Sequence, residues 1–153
     1  MERSIGFLER VSGHTYDTIY DLLFTTERVI TLNVQHPTEV SYKFGITELF
    51  LGEKLARQLE RFDRKKSAEE RLRAYKEKTF DELLAGHRFN FEIPYSMVTT
   101  VEVTRGWFHT HLKFHINSPS IIGRTMHFTL TKDQVPDAQN LLNLALPLKI
   151  KEK

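Results

Sequence analysis

Apolar and polar residues alternate in two neighbouring runs in the last third of the chain. In Phe108–Ile116 every second residue from Phe108 onward is predicted to face a core, and the residues between them are polar. This period of two is typical of a half-buried strand. Ile122–Leu130 alternates in the same way, and residues 117–120 supply turn-forming residues between the two runs. The pattern predicts an antiparallel hairpin.

Five further runs have the period or the composition of strands. They are Tyr16–Thr25, Val29–Val34, Val40–Ile46, Phe89–Ile93 and Val98–Arg105. The first three follow one another closely and predict a meander. Residues 1–14 are ambiguous, because Ile5, Leu8 and Val11 have the spacing of a short helical stripe that would pack on the domain.

The hydrophobic period changes to that of a helix after Leu130. Thr131 and Gln134 have the spacing of a capping box, and Val135–Leu146 carries apolar residues three or four positions apart. Pro147 ends the run. A helix with one apolar face must cover another element, so we expect it to close an open end of the sheet. The residues expected to be buried there are Leu141, Leu142 and Ala145.

A helical segment, Thr47–Ala85, interrupts the strand pattern. A narrow apolar stripe predicts its first helix, and capping-box sequences that begin at Ser67 and Thr79 predict two more. The stripe consists of Leu51, Leu55, Leu59 and Phe62. Such a narrow stripe is typical of a seam between paired helices. Segment 47–86 therefore either associates with a second copy of the chain or folds back on its own sheet.

Composition limits the class of protein but does not identify an activity. The 153 residues suit one domain, residues 1–153, with a sizeable core. The formal charge is only +2, although ten Lys or Arg against six Asp or Glu lie between Glu53 and Lys78. The absence of cysteine excludes disulfides and cysteine-bound zinc and favours a cytoplasmic location. No stretch of the sequence has the length and apolarity of a membrane span.

Two phrases of the sequence resemble the pleckstrin-homology (PH) superfold. Leu22–Ile30 is similar to the hairpin of GRAM-like and bacterial PH-like domains, in which Thr precedes a basic residue and an aliphatic pair. Ile93–Val103 is similar to a second phrase of those domains, in which Ile-Pro-Tyr precedes a strand that ends near Arg-Gly. The resemblance covers Tyr16–Ile46 and Phe89–Leu146 and does not include the helical segment.

The resemblance implies a mainly β fold with α-helices. We expect a PH-like seven-stranded antiparallel sandwich or roll, capped by a C-terminal helix, with the helical insert between strands 3 and 4. An open βαβ architecture is the competing prediction, and it would place parallel strand pairs within Phe89–Leu130.

Members of this superfold commonly bind membrane phosphoinositides, proteins or peptides, so the resemblance implies a non-enzymatic binding module. Lipid-binding members use basic residues around the first hairpin, where this chain offers Arg28. Asp17 and Asp21 share one face of the preceding strand and are predicted to be solvated. The leading hypothesis is association with a protein or peptide. The alternative is peripheral binding to anionic, phosphoinositide-like lipid headgroups.

Basic residues are also concentrated in the helical segment. Those placed to contact an anion are Arg57, Arg61, Arg64, Lys65 and Lys66. The same residues fit a solvated helix surface, a protein interface, or a contact with lipid or nucleic-acid phosphates. Nucleic acid is not expected as the partner, because no aromatic residues alternate with the basic ones for base stacking.

Histidines recur on the polar face of the predicted hairpin. The polar face comprises His109, His111, Lys113 and His115, with His127 across from them. Imidazoles two residues apart on a strand lie about 6–7 Å apart, so converging rotamers would allow a metal with His127 as a third ligand. An anion-binding surface and a plain polar surface explain the same residues. We predict no metal and no cofactor.

Sequence motifs for catalysis are missing. The chain contains no nucleophile elbow, no glycine-rich phosphate loop and no His-Glu-x-x-His pair. We therefore predict that the protein is not an enzyme.

Overall fold

The computed structural model of the protein describes residues 1–13, 18–35, 68–118 and 121–152. The strands in these ranges are β1 (Ser4–Ser12), β2 (Ile19–Thr25), β3 (Arg28–Gln35), β4 (Phe91–Pro94), β5 (Val98–Arg105), β6 (Thr110–Ser118), β7 (Ile121–Leu130) and β8 (Ile150–Glu152). The α-helices are α1 (described from residue 68 to 76), α2 (Phe80–Ala85) and α3 (Val135–Ala145). A 3-10 turn, Tyr95–Met97, joins β4 to β5.

The eight described strands form one sheet in the order β4-β3-β2-β1-β7-β6-β5-β8. Neighbouring strands are antiparallel except for β5 and β8, which run parallel. The prediction of a mainly β fold with helices is therefore confirmed. Among β4 to β7 no described pair is parallel, which contradicts the competing βαβ architecture for this stretch.

The two halves of the sheet enclose one hydrophobic core. Phe24 of β2, Phe114 of β6 and Phe128 of β7 are among its fully buried side chains. The rings of Phe114 and Phe128 meet edge to face with their centroids 6.0 Å apart, an arrangement that the charge distribution of aromatic rings favours. Because β1–β3 and β5–β7 contribute to the same cluster, the sheet curls around the core instead of lying flat.

Helix α3 closes this core against β1. Its apolar stripe buries Ala138, Leu141 and Leu142, as the helical period predicts, while Ala145 is half-buried. Gly6 of β1 permits the close approach, because a Cβ at this position would lie 2.3 Å from Leu141 Cδ2.

Helices α1 and α2 cover the opposite face of β2 and β3. Leu23, Ile30 and Leu32 form a second cluster there with Leu83 of α2, and Tyr75 of α1 packs against it. Burial on both faces explains the three consecutive apolar residues Leu22–Phe24 of β2, which a half-exposed strand would not show.

The N-terminal segment forms β1, so the helical interpretation of residues 1–14 is wrong for its described part. Leu8 and Val11 both face the core although they are three residues apart, which a regular strand does not allow. A bulge between these two residues shifts the pairing with β2, and Arg10 adopts φ 48° within it. The extra residue of the bulge gives a strand the spacing of a helical stripe.

Several predicted boundaries shift. β6 begins at Thr110, and Phe108, expected to face the core, is exposed. Only half of the predicted capping box at α3 forms: Gln134 Oε1 accepts a 2.9 Å hydrogen bond from Thr131 N, and the helix begins at Val135. At α2 the other half of a capping box forms, with a 3.1 Å hydrogen bond from Glu82 N to Thr79 Oγ1. β8 has no counterpart among the predicted strands.

Three predicted elements lie outside the described residues: the strand Val40–Ile46, the helical stripe Leu51–Phe62 and the capping residue Ser67. What is described between β3 and β4 is helical, namely α1 and α2. No described helix combines the length and the apolar character that a membrane crossing requires.

Candidate functional site

Arg28, the basic residue that the first hairpin offers to a lipid phosphate, is held by three carboxylates at the start of β3. Its Nε lies 2.8 Å from Glu2 Oε1, its Nη2 lies 3.2 Å from Asp81 Oδ1, and its Nη1 donates to Glu92 Oε2. Burial disfavours the charged guanidinium, but the hydrogen bonds to Glu2, Glu92 and Asp81 outweigh it and raise the pKa of Arg28. A phosphate would have to displace these carboxylates, so the first hairpin is a poor anion site.

Asp21, expected to be solvated, is fully buried between β2 and α1. Its carboxylate accepts hydrogen bonds from Arg71 Nε, from Tyr75 Oη at 2.7 Å and from Arg10 N at 3.0 Å. Burial disfavours the charge of Arg71, but the hydrogen bonds to Asp21 and the charge of its carboxylate, with smaller contributions from Tyr75 and Glu9, together outweigh burial and raise the pKa of Arg71. The hydrogen bond to Arg10 N also fixes the bulge of β1. This network is structural, and the one sequence signal for it is the four-residue spacing of Arg71 and Tyr75 on one helix face.

The histidine-rich face lies on the outer side of β6 and β7. His111 Nδ1 and His127 Nε2 are 2.9 Å apart, so one ring donates a hydrogen bond to the other. Lys113 is the direct cross-strand neighbour of His127. Further along β6, His115 Nδ1 lies 3.2 Å from Thr125 Oγ1. The structure thus brings these side chains onto one surface, as the alternation predicts.

The histidine face lacks the ligands of a metal site. His115 Nε2 lies 3.4 Å from Glu102 Oε2, a contact that is an ion pair only when the imidazole is protonated. His109 is exposed in the loop that precedes β6. Within the described ranges, no three His, Cys, Asp or Glu side chains converge as metal ligands. The arrangement is chemically a mixed polar surface with one His–His hydrogen bond.

The loop between β5 and β6 carries the most exposed aromatic side chains of the described residues. Trp107 is 90% and Phe108 is 76% exposed, and their ring centroids are 6.5 Å apart. Gly106 N donates a 2.8 Å hydrogen bond to His109 O across the base of the loop. The structure therefore places Trp107 at an exposed hairpin tip and not over the core.

The outer edge of β5 accepts a strand from the same chain. β8 lies parallel to it, with Ile150, Lys151 and Glu152 opposite Val101, Glu102 and Val103. Just before β8, Lys149 O accepts a 2.8 Å hydrogen bond from Val101 N, and Lys149 Nζ donates a 2.8 Å bond to Tyr95 O. The sequence does not reveal this strand, because three residues carry too little periodicity to be detected.

The structure does not describe the basic residues of the helical segment that were candidates for contact with an anion. Arg57, Arg61, Arg64, Lys65 and Lys66 all lie outside the described residues. No protein-family model matches the chain, and a search of curated proteins also finds no match.

Proposed function

We propose that the protein is a non-catalytic, PH-like binding module that associates with proteins or peptides. Support for the PH-like assignment comes from the antiparallel succession of β1 to β7, from α3 closing the core, and from the two sequence phrases at Leu22–Ile30 and Ile93–Val103. Support for association comes from the edge of the sheet at β5.

The observation that carries the proposal is the strand that β5 already accepts. β8 pairs with three of the eight residues of β5, and its Ile150 is only partly buried against the main core. Both described edge strands are short, β4 with four residues and β8 with three. A peptide added to such an edge gains main-chain hydrogen bonds whatever its sequence, and its alternate side chains supply specificity.

The side chains along β5 indicate the chemistry of the added segment. Val101 and Val103 are buried, and Ile150 of β8 packs against the same core. Glu102 lies opposite Lys151 of β8 on one side and Lys113 of β6 on the other. The preferred segment therefore places an apolar residue toward the core and a basic residue opposite Glu102.

A peptide with the sequence of residues 147–153 tests whether the β5 edge binds a strand in trans. In the full-length Ile150→Gln variant, the loss of apolar packing should loosen β8 and let the peptide compete for the edge. The matched control is Leu148→Gln, which makes the same kind of change at an exposed residue just before β8. We expect slowed amide exchange at Val101 and Val103 on peptide addition in the Ile150 variant and not in the control. Equal responses in the two variants, or none, would count against the β5 edge.

Binding to anionic lipid headgroups is the second candidate function. It is favoured by the basic composition of Glu53–Lys78, whereas Arg28 is already paired with three carboxylates. Co-sedimentation with anionic vesicles tests it: salt-sensitive binding that is lost in an Arg64→Glu, Lys65→Glu double variant supports the headgroup hypothesis. Absence of vesicle binding leaves protein association as the function.

A further inference from the structure

The aromatic pair at the β5–β6 loop is held in place without being covered by the rest of the described structure. Residues 106–109 span the loop, and β5 and β6 stay paired up to Arg105 and Thr110. A Cβ at Gly106 would lie 2.7 Å from His109 O, so glycine permits the hydrogen bond that closes the loop. Trp107 and Phe108 therefore project from a short hairpin tip with a defined base.

Two basic side chains, Arg105 and Lys132, lie near the tip. Arg105 and His109 are exposed on either side of the two rings, and Lys132 is exposed at the neighbouring end of β7. Residues 104–111 contain no Asp or Glu, and Asp133, beside Lys132, is the acidic residue of the adjoining turn. Within the described residues Arg105 forms no ion pair. Its charge is thus available to an anionic partner.

The size of the apolar surface argues against a protein as the partner of the tip. Two aromatic side chains bury about 300–500 Å² together, whereas each partner of a standard protein interface buries about 800 Å². The side chains next to the rings, Arg105 and His109, are polar and do not extend the apolar patch. A bilayer needs no complementary surface, and the interfacial region accommodates Trp together with basic residues.

We propose that Trp107 and Phe108 insert into the interfacial region of an anionic membrane, with Arg105 beside them at the headgroup level. The binding free energy of this attachment comes mainly from the apolar rings. It therefore differs from the binding of lipid headgroups through the basic helical segment. It does not use the β5 edge at Val101–Val103, so the inference does not rest on peptide binding.

Trp107 is the single tryptophan of the chain, so the intrinsic fluorescence of the unlabelled protein reports on the tip. Vesicles of phosphatidylcholine with phosphatidylglycerol should shift the emission to shorter wavelength, and brominated acyl chains should quench it. The shift should be smaller with phosphatidylcholine alone and with Arg105→Gln, because the electrostatic attraction is then reduced. Unchanged emission with anionic vesicles would overturn the proposal. A blue shift that depends on protein concentration without vesicles would instead assign the tip to a second copy of the chain.

Variants separate the tip from other exposed apolar residues. Trp107→Ala with Phe108→Ala should lower the partition coefficient for anionic vesicles by at least about tenfold, because the inserted apolar area is removed. The matched control is Leu148→Ala, since Leu148 is 97% exposed and lies away from the tip. Circular dichroism checks that both variants fold. Equal vesicle binding by the double variant and the wild type would contradict insertion of the tip.

Discussion

The carboxylate of Asp21 on β2 receives two hydrogen bonds from Arg71 on α1, of 2.6 Å from Nε and 3.1 Å from Nη2. The carboxylate is completely buried, and Tyr75 from the next turn of the helix reaches the same oxygen as Arg71 Nε. This pair ties α1 to the sheet across 50 residues of sequence. A buried charge of this kind is tolerated only when its partners stay in place.

Removing the guanidinium should therefore destabilise the fold strongly. Arg71→Ala leaves the Asp21 carboxylate buried without its countercharge, and we expect a loss of about 3–5 kcal/mol in the free energy of unfolding. Urea denaturation measures this loss, with Arg73→Ala as control because Arg73 is exposed on the same helix. A loss below about 1 kcal/mol would show that water or another cation replaces Arg71.

The stability of the protein should decrease in alkaline solution. Burial raises the pKa of Tyr75, with the charge of Asp21 adding to it, and burial also raises the pKa of Tyr95. A phenol whose pKa is raised on folding stabilises the protein below its unfolded pKa of about 10, and this contribution is lost as the pH rises through the folded value.

We expect the free energy of unfolding to fall above about pH 10, by up to about 1.4 kcal/mol per pH unit for each tyrosine. Lysines titrate in the same range, so the comparison is with a Tyr75→Phe, Tyr95→Phe double variant, which should show a shallower decline. Urea denaturation at a series of pH values gives both slopes. Identical slopes for the two proteins are the contrary result.

Helix α3 should contribute to the core through Leu142, which is fully buried. Leu142→Ala should cost about 2–5 kcal/mol of unfolding free energy, because it removes packed methyl groups and leaves a cavity. Leu144, on the same helix, is 69% exposed, and Leu144→Ala should change stability by less than about 0.5 kcal/mol. Similar small effects of both changes would mean that α3 is not part of the core.

Self-association through segment 47–86 remains a prediction from the apolar seam Leu51–Phe62. In the described part of this segment, Tyr75 and Leu83 pack on the protein's own sheet, so an interface would use the seam residues. Sedimentation of the intact chain should show a dimer or larger, and Leu55→Glu with Leu59→Glu should give a folded monomer. If the wild type is monomeric at roughly tens of micromolar protein, self-association is refuted.

The local part of the fold was predictable from the sequence, because it depends on neighbouring residues. The β6–β7 hairpin follows from alternation and a turn cluster, and it brings His111 and His127 to the same face. Helix α3 follows from its period. In both cases one element and its immediate neighbour contain the whole signal.

The remaining features depend on contacts between distant residues. Leu8 and Val11 share a face only because a bulge adds a residue to β1, and no local pattern distinguishes this from a helical stripe. Asp21 looked solvated because its partner Arg71 is far away in sequence. Phe108 looked buried because the alternation of β6 continues in the sequence before Thr110, where the strand begins.

Locating a bound peptide on the full-length Ile150→Gln protein, whose β8 is loosened, tests strand addition at β5. Peptides enriched from a random library should carry an apolar residue and a basic residue at neighbouring positions, matching Ile150 and Lys151 of β8. Backbone amide NMR should then show the largest shifts within Val98–Arg105, as expected for strand addition at β5. Enrichment of no peptide, or shifts centred on α1 and α2 instead of β5, would rule out strand addition at this edge.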